Sequence, residues 1–131
     1  MIEIIAIILS ILSFIFSIIS WIVTNKINKS ELELEIMRMI SESKDKFANI
    51  KDDVKADIID YFIEEELNAY DHACLFYIEN KINKKSFKKL YKTEIINIVE
   101  NRTFSEIAKF SDIDCKYYYL KKVYEEWTIV K

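Results

Sequence analysis

From Ile4 to Val23 the chain runs for about 20 residues without a charge, and alanine and serine are the only small or polar members of the run. A helix of that length, rising about 1.5 Å per residue, spans the roughly 30 Å hydrocarbon core of a bilayer. Trp21 lies near its end, where an amphipathic ring suits the headgroup layer. A cleavable signal peptide would carry a basic start, a shorter apolar run and a small-residue cleavage site. Here Met1-Ile2-Glu3 precedes the run and Ile22-Val23-Thr24-Asn25-Lys26 closes it, so the reading is a retained membrane helix over residues 1–25. Lys26 and Lys29 follow the run and no Lys or Arg precedes it. Positive flanks stay in the cytoplasm, which predicts an outside N-terminus and a cytoplasmic segment 26–131.

The remainder should be all-α. The sequence has no glycine and no proline, so the tight turns of hairpins and sandwiches lack their usual residues. The same absence excludes phosphate-cradling loops, dinucleotide fingerprints and nucleophile elbows, each of which needs glycine. A small cytoplasmic helical bundle is expected, with residues 26–66 as a stalk or first helices and 67–131 as the C-terminal bundle. Abundant isoleucine and a large excess of lysine over arginine suggest an AT-rich bacterial genome, hence a bacterial inner membrane.

Within the span, Glu3, Ala6, Ser10, Ser13, Ser17, Ser20 and Thr24 follow one another at alternating steps of three and four. That is the heptad-type spacing that keeps one seam of a helix facing a partner. Every other position from Ile4 to Val23 is Ile, Leu, Val, Phe or Trp and suits lipid. Lipid gives helices no hydrophobic reason to associate, so small residues that permit close approach supply the contact. Homo-oligomerisation through this stripe is the expectation. Two forms stay open. One is a dry zipper with hydroxyls bonded across it or to the preceding turn. The other is a ring whose stripe lines a wet pore, with Glu3 at its outer mouth.

Beyond Lys29 the pattern is helical. Phe47, Ile50, Val54, Ile58 and Phe62 mark one apolar face at helical spacing. Ser41-Glu42-Ser43-Lys44 reads either as an interruption or as part of a long stalk. Tyr70, Ala73, Cys74, Tyr77 and Ile78 form the next stripe, and Asn83 or Ser86 caps a helix carrying Phe87, Leu90, Tyr91, Ile95 and Ile98. Thr103-Phe104-Ser105-Glu106 resembles a capping box. Ser111-Asp112-Ile113-Asp114 is expected to open a last helix with Leu120, Val123, Tyr124 and Trp127 inward.

Candidate chemistry is sparse. Lys81, Lys84, Lys85, Lys88, Lys89 and Lys92 cover one helix flank. It reads as a site for an anionic trigger, nucleotide or nucleic acid, or for anionic lipid, or else as a solvated face paired with Glu64, Glu65 and Glu66. The net charge of −3 argues against duplex binding. His72, the single histidine, is expected beside a carboxylate, because His72 and Cys74 fall on different faces of a helix. Asp52, Asp53, Asp57 and Asp60 lack metal-loop spacing, and no His follows Arg38 or Arg102 at the spacing of helical RNA-cleaving domains. No catalytic set, metal site or cofactor is expected, and the cysteines Cys74 and Cys115 suit a reducing compartment.

Residues 67–101, LNAYDHACLFYIENKINKKSFKKLYKTEIINIVEN, with YYYLKKVYEEW at 117–127, resemble the C-terminal half of small single-span helical bacterial proteins encoded near prophage and defence genes. That group has no activity to carry over. The overall plan is also similar to the pore-forming membrane partner of type VI-B CRISPR systems, in architecture and not in motif. These resemblances imply a phage-defence effector that permeabilises the inner membrane, with a second defence protein as a partner. The rival reading is a membrane-tethered adaptor whose helical domain docks a partner protein.

Overall fold

A computed structural model describes residues 1–50 and 55–129. Among them the chain is all-helical, in five helices: α1 (Ile2–Ala48), α2 (Ala56–Ile78), α3 (Lys84–Glu100), α4 (Arg102–Ala108) and α5 (Tyr118–Thr128). α1 runs unbroken for 47 residues, about 70 Å. Ser41–Lys44 is therefore no break. The Ser43 hydroxyl donates to the Ile40 carbonyl at 2.8 Å, which satisfies a buried serine without interrupting the helix.

α1 has two characters. Residues 1–31 are exposed on every side, whereas Ile36 and Ile40 are buried and Leu32 and Met39 pack beside them. The lower half of α1 thus forms one wall of a bundle whose centre is α2. Ile63, Leu67, Tyr70, Cys74 and Tyr77 recur on α2 at helical spacing and are buried, while Ala69 and Ala73 allow neighbours to approach. The face anticipated from Phe47 to Phe62 is not the core face. α1 ends at Ala48 and α2 begins at Ala56, so the helical phase restarts between them and leaves Phe47 and Ile58 exposed. Val54, counted in that face, lies outside the described residues. The segment boundary expected between residues 66 and 67 falls inside α2, where nothing in Glu64-Glu65-Glu66-Leu67 breaks a helix.

Three polar contacts fix how the helices align. Lys46 of α1 meets Glu65 of α2 at 3.2 Å, so α2 turns back along α1. The Asn83 backbone N–H donates to Glu33 at 2.7 Å, and Lys44 pairs with Glu94 at 2.8 Å. Glu33 to Lys44 and Asn83 to Glu94 are equal separations, so α3 runs parallel to α1 with its N-terminus toward the exposed half of α1. Asn83 caps α3 by accepting from the Ser86 N–H at 3.0 Å. Phe87, Ile95 and Ile98 are buried as expected, but Leu90 is 57% exposed because it sits at the rim of the α1–α3 gap.

The last two helix starts differ from their sequence reading. α4 is capped by Asn101, whose side chain accepts from Thr103 and Phe104, two residues ahead of the anticipated box. α5 starts at Tyr118 and not at Ser111–Asp114, where Ile113 is almost fully exposed. Its first turn is held from another helix: Asp71 of α2 accepts the Leu120 N–H at 2.8 Å. Leu120, Val123 and Trp127 of α5 are buried, with Tyr124 partly so. Burial raises the Asp71 carboxyl above its ordinary value even though backbone donors oppose the shift. Asp71→Ala should cost about 1–2 kcal/mol and speed amide exchange at the start of α5. Unchanged protection at Leu120 would mean that Asp71 is not the cap.

Candidate functional site

The stripe Glu3, Ala6, Ser10, Ser13, Ser17, Ser20 and Thr24 lies along the exposed half of α1, and so do Ile4, Phe14, Phe16 and Trp21 around it. A straight helix drifts only about 20° per heptad against a seven-residue repeat, so the stripe keeps to one side over its three heptads. The helix satisfies its own backbone and is long and apolar enough to cross a membrane. Its apolar surface far exceeds what a monomer leaves in water.

The lysine flank lies on α3 and the loop before it. Its expected acidic partners are engaged elsewhere or withdrawn: Glu64 pairs with Lys116 at 3.4 Å, Glu65 with Lys46, and Glu66 is buried. Lys81 pairs with Glu79 at 2.6 Å. Lys84 lies 4.8 Å above the Tyr77 ring and Lys88 lies 5.7 Å from the Trp127 ring. Those two lysines cover an aromatic cluster of Tyr77, Phe87 and Trp127, tied by a Trp127 N–H donated to the Tyr77 hydroxyl at 3.1 Å. Lys85, Lys89 and Lys92 are exposed and form no ion pair among the described residues.

The other sequence candidates do not converge. His72 is exposed and meets the Phe76 ring edge-on at 4.8 Å; among the described residues it does not pair with a carboxylate as anticipated, because its face of α2 looks outward. Cys74 is fully buried on the other side, where burial pushes its thiol up. Cys115 donates to the Ala108 carbonyl at 3.3 Å, and both cysteines are free. Arg102 is held by Glu106 at 2.8 Å, one helical turn on. Asp57 and Asp60 are exposed on α2, and Asp52 and Asp53 lie outside the described residues.

A polar cluster that no local sequence pattern announces joins α1, α2 and α3. Tyr70 donates to Glu94, Lys44 pairs with the same carboxylate, and Glu66 is buried nearby. Burial raises the Glu66 carboxyl, Lys44 opposes the shift and Glu94 reinforces it. Glu94 is opposite in sign: burial works against ionisation, yet hydrogen bonds from Lys44 and Tyr70 hold its carboxyl below the ordinary value. A raised folded value means that the native state keeps a proton the unfolded chain has lost. Stability from Glu66 is therefore present below 4.5 and lost as pH rises through the raised value. Stability from Glu94 is present above 4.5 and lost as pH falls through the lowered value. Glu66→Gln should flatten the fall in melting temperature on the alkaline side of 4.5 and leave the acid side alone. A melting profile unchanged on the alkaline side would remove Glu66 from this role.

The structure also opens a cavity of about 50 Å³ between α1 and α3, walled by Ile36, Met37, Ile82, Phe87, Leu90 and Tyr91. No known protein family, curated protein or solved structure matches the chain.

Proposed function

We propose that this chain is a membrane-anchored homo-oligomeric effector whose stripe of small residues lines a conduit through the bacterial inner membrane. One observation carries the reading: a helix with an unbroken seam of small and hydroxyl residues is exposed on all sides and continues without a joint into a folded bundle. A single span has copies of itself to pack against, and serine hydroxyls suit either water or each other. Because α1 is continuous, a rotation of the bundle is transmitted directly to the stripe. The bundle would then hold the conduit shut until triggered. Lys26 and Lys29 support a cytoplasmic bundle and an outside N-terminus. The setting in phage defence rests on the family resemblance alone, as does a second defence protein as trigger.

Oligomer number tests this reading. Light scattering of the full chain in detergent should give four or more copies, since two helices cannot enclose a pore. A strict dimer would leave the stripe as a zipper. That outcome favours the tethered adaptor, for which the α1–α3 cavity and its exposed rim at Met37 and Leu90 offer a docking groove.

A further inference from the structure

We propose that the end of the bundle nearest the stripe is a collar for anionic phospholipid headgroups, formed by Lys26 and Lys29 of α1 with Lys81, Lys84 and Lys85 at the start of α3. The inference rests on the membrane-span reading and adds a lipid class to it. Two clefts flank Lys29. One is walled by Asn25, Lys26, Ser30, Glu33, Asn83 and Ser86, the other by Asn25, Asn28, Leu32, Asn80 and Lys81. Both are thus built from α1 just past the span and from the turn between α2 and α3. Their amide and hydroxyl groups provide donors beside the ammonium groups, the set a phosphodiester needs. Of the acidic groups at that level, Glu33 accepts the Asn83 N–H and Glu79 pairs with Lys81, while Glu31 is exposed on α1.

Depth decides which lysines belong. At 1.5 Å per residue, Lys26 and Lys29 lie about 5 and 9 Å beyond Val23, within or just under the headgroup layer. Asn83 stands level with Glu33, about 15 Å beyond Val23, and α3 then runs away from the span. Lys81, Lys84 and Lys85 start from that level, Lys81 paired with Glu79, Lys84 over the Tyr77 ring and Lys85 without an ion pair among the described residues, and their flexible stems allow the ammonium groups to swing toward the headgroups. Lys88, Lys89 and Lys92 fall about 22 to 28 Å beyond Val23, further than a Debye length of about 8 Å from the headgroups. The six-lysine flank therefore divides, and only its first part belongs to the collar.

Trp21 is exposed near the end of the span and reports on the adjacent lipid. The full chain is reconstituted in vesicles containing brominated phosphatidylglycerol or brominated phosphatidylcholine. Quenching of Trp21 should show at least about a fivefold preference for the anionic lipid at low salt, the value of one surface lysine. Changing Lys26, Lys29, Lys81, Lys84 and Lys85 together to glutamine should bring the preference near unity. Changing Lys88, Lys89 and Lys92 should leave it intact. Equal quenching by both lipids, or equal loss in the two variants, overturns the collar while quenching itself upholds the span. No quenching by either lipid overturns the span and the collar together. Loss of the preference on adding inorganic phosphate at constant ionic strength would make the clefts a soluble-anion site and overturn the lipid assignment.

Discussion

Replacing Ser13 and Ser17 with leucine should convert the detergent-solubilised oligomer to monomer and abolish ion flux through reconstituted vesicles. Both serines sit mid-span on the stripe, and both are exposed in the single chain. A leucine side chain at each of two successive turns holds neighbouring backbones apart, and the close packing that drives association in lipid is lost. The same substitution at lipid-facing positions, Ile11→Leu and Ile15→Leu, adds no bulk to the seam and should change neither property. Size-exclusion chromatography with light scattering reads the first effect and dye or ion release the second. Retained oligomer size in the serine variant would transfer assembly to the bundle, which residues 26–131 expressed alone would reveal by self-associating.

The second large effect lies in the bundle. Leu67 is fully buried at the centre of α2, the helix that touches all the others. Leu67→Ala removes buried methyl groups and leaves a cavity, at a cost of about 2–5 kcal/mol. Small domains hold about 5–15 kcal/mol in total, so the melting temperature of the bundle should drop by more than about 10 °C. Leu90→Ala, at a leucine 57% exposed, should stay within about 0.5 kcal/mol. Equal effects at the two leucines would contradict the placement of α2 at the centre. Either way the apolar half of α1, which the bundle does not cover, should keep its helicity in detergent.

The elements that could be read from the sequence are those set by local period. The apolar run of α1, the stripe from Tyr70 to Tyr77 on α2, the Asn83 cap and the inward set of α5 depend on neighbours three or four residues away. What escaped depends on distance along the chain. Asp71 caps a helix that begins 47 positions later, and no local pattern announces a cap supplied by another helix. The Phe47-to-Phe62 face failed because apolar spacing carries on where the helix does not: α1 ends at Ala48, and α2, beginning at Ala56, runs back along it. Leu90 looked inward by period, but α1 and α3 leave a gap there. The lysine flank was visible as charge, while its division into lysines level with Glu33 and lysines further along α3 required the parallel alignment of α1 and α3. The stripe was fully legible, since its spacing is local.

Cysteine accessibility along α1 tests the conduit most directly. Single cysteines are placed at Ser10, Ser13, Ser17 and Ser20, and at Ile11, Phe14 and Ile18 as lipid-facing controls, in full chains whose buried Cys74 and Cys115 are retained. A water-soluble thiol reagent is then applied while conductance is recorded across a planar bilayer. Stepwise block is expected at the four stripe positions and none at the controls, because only a wet stripe admits a charged reagent. Block at the controls, or a conductance that no stripe cysteine alters, would contradict the claim that this seam lines a pore.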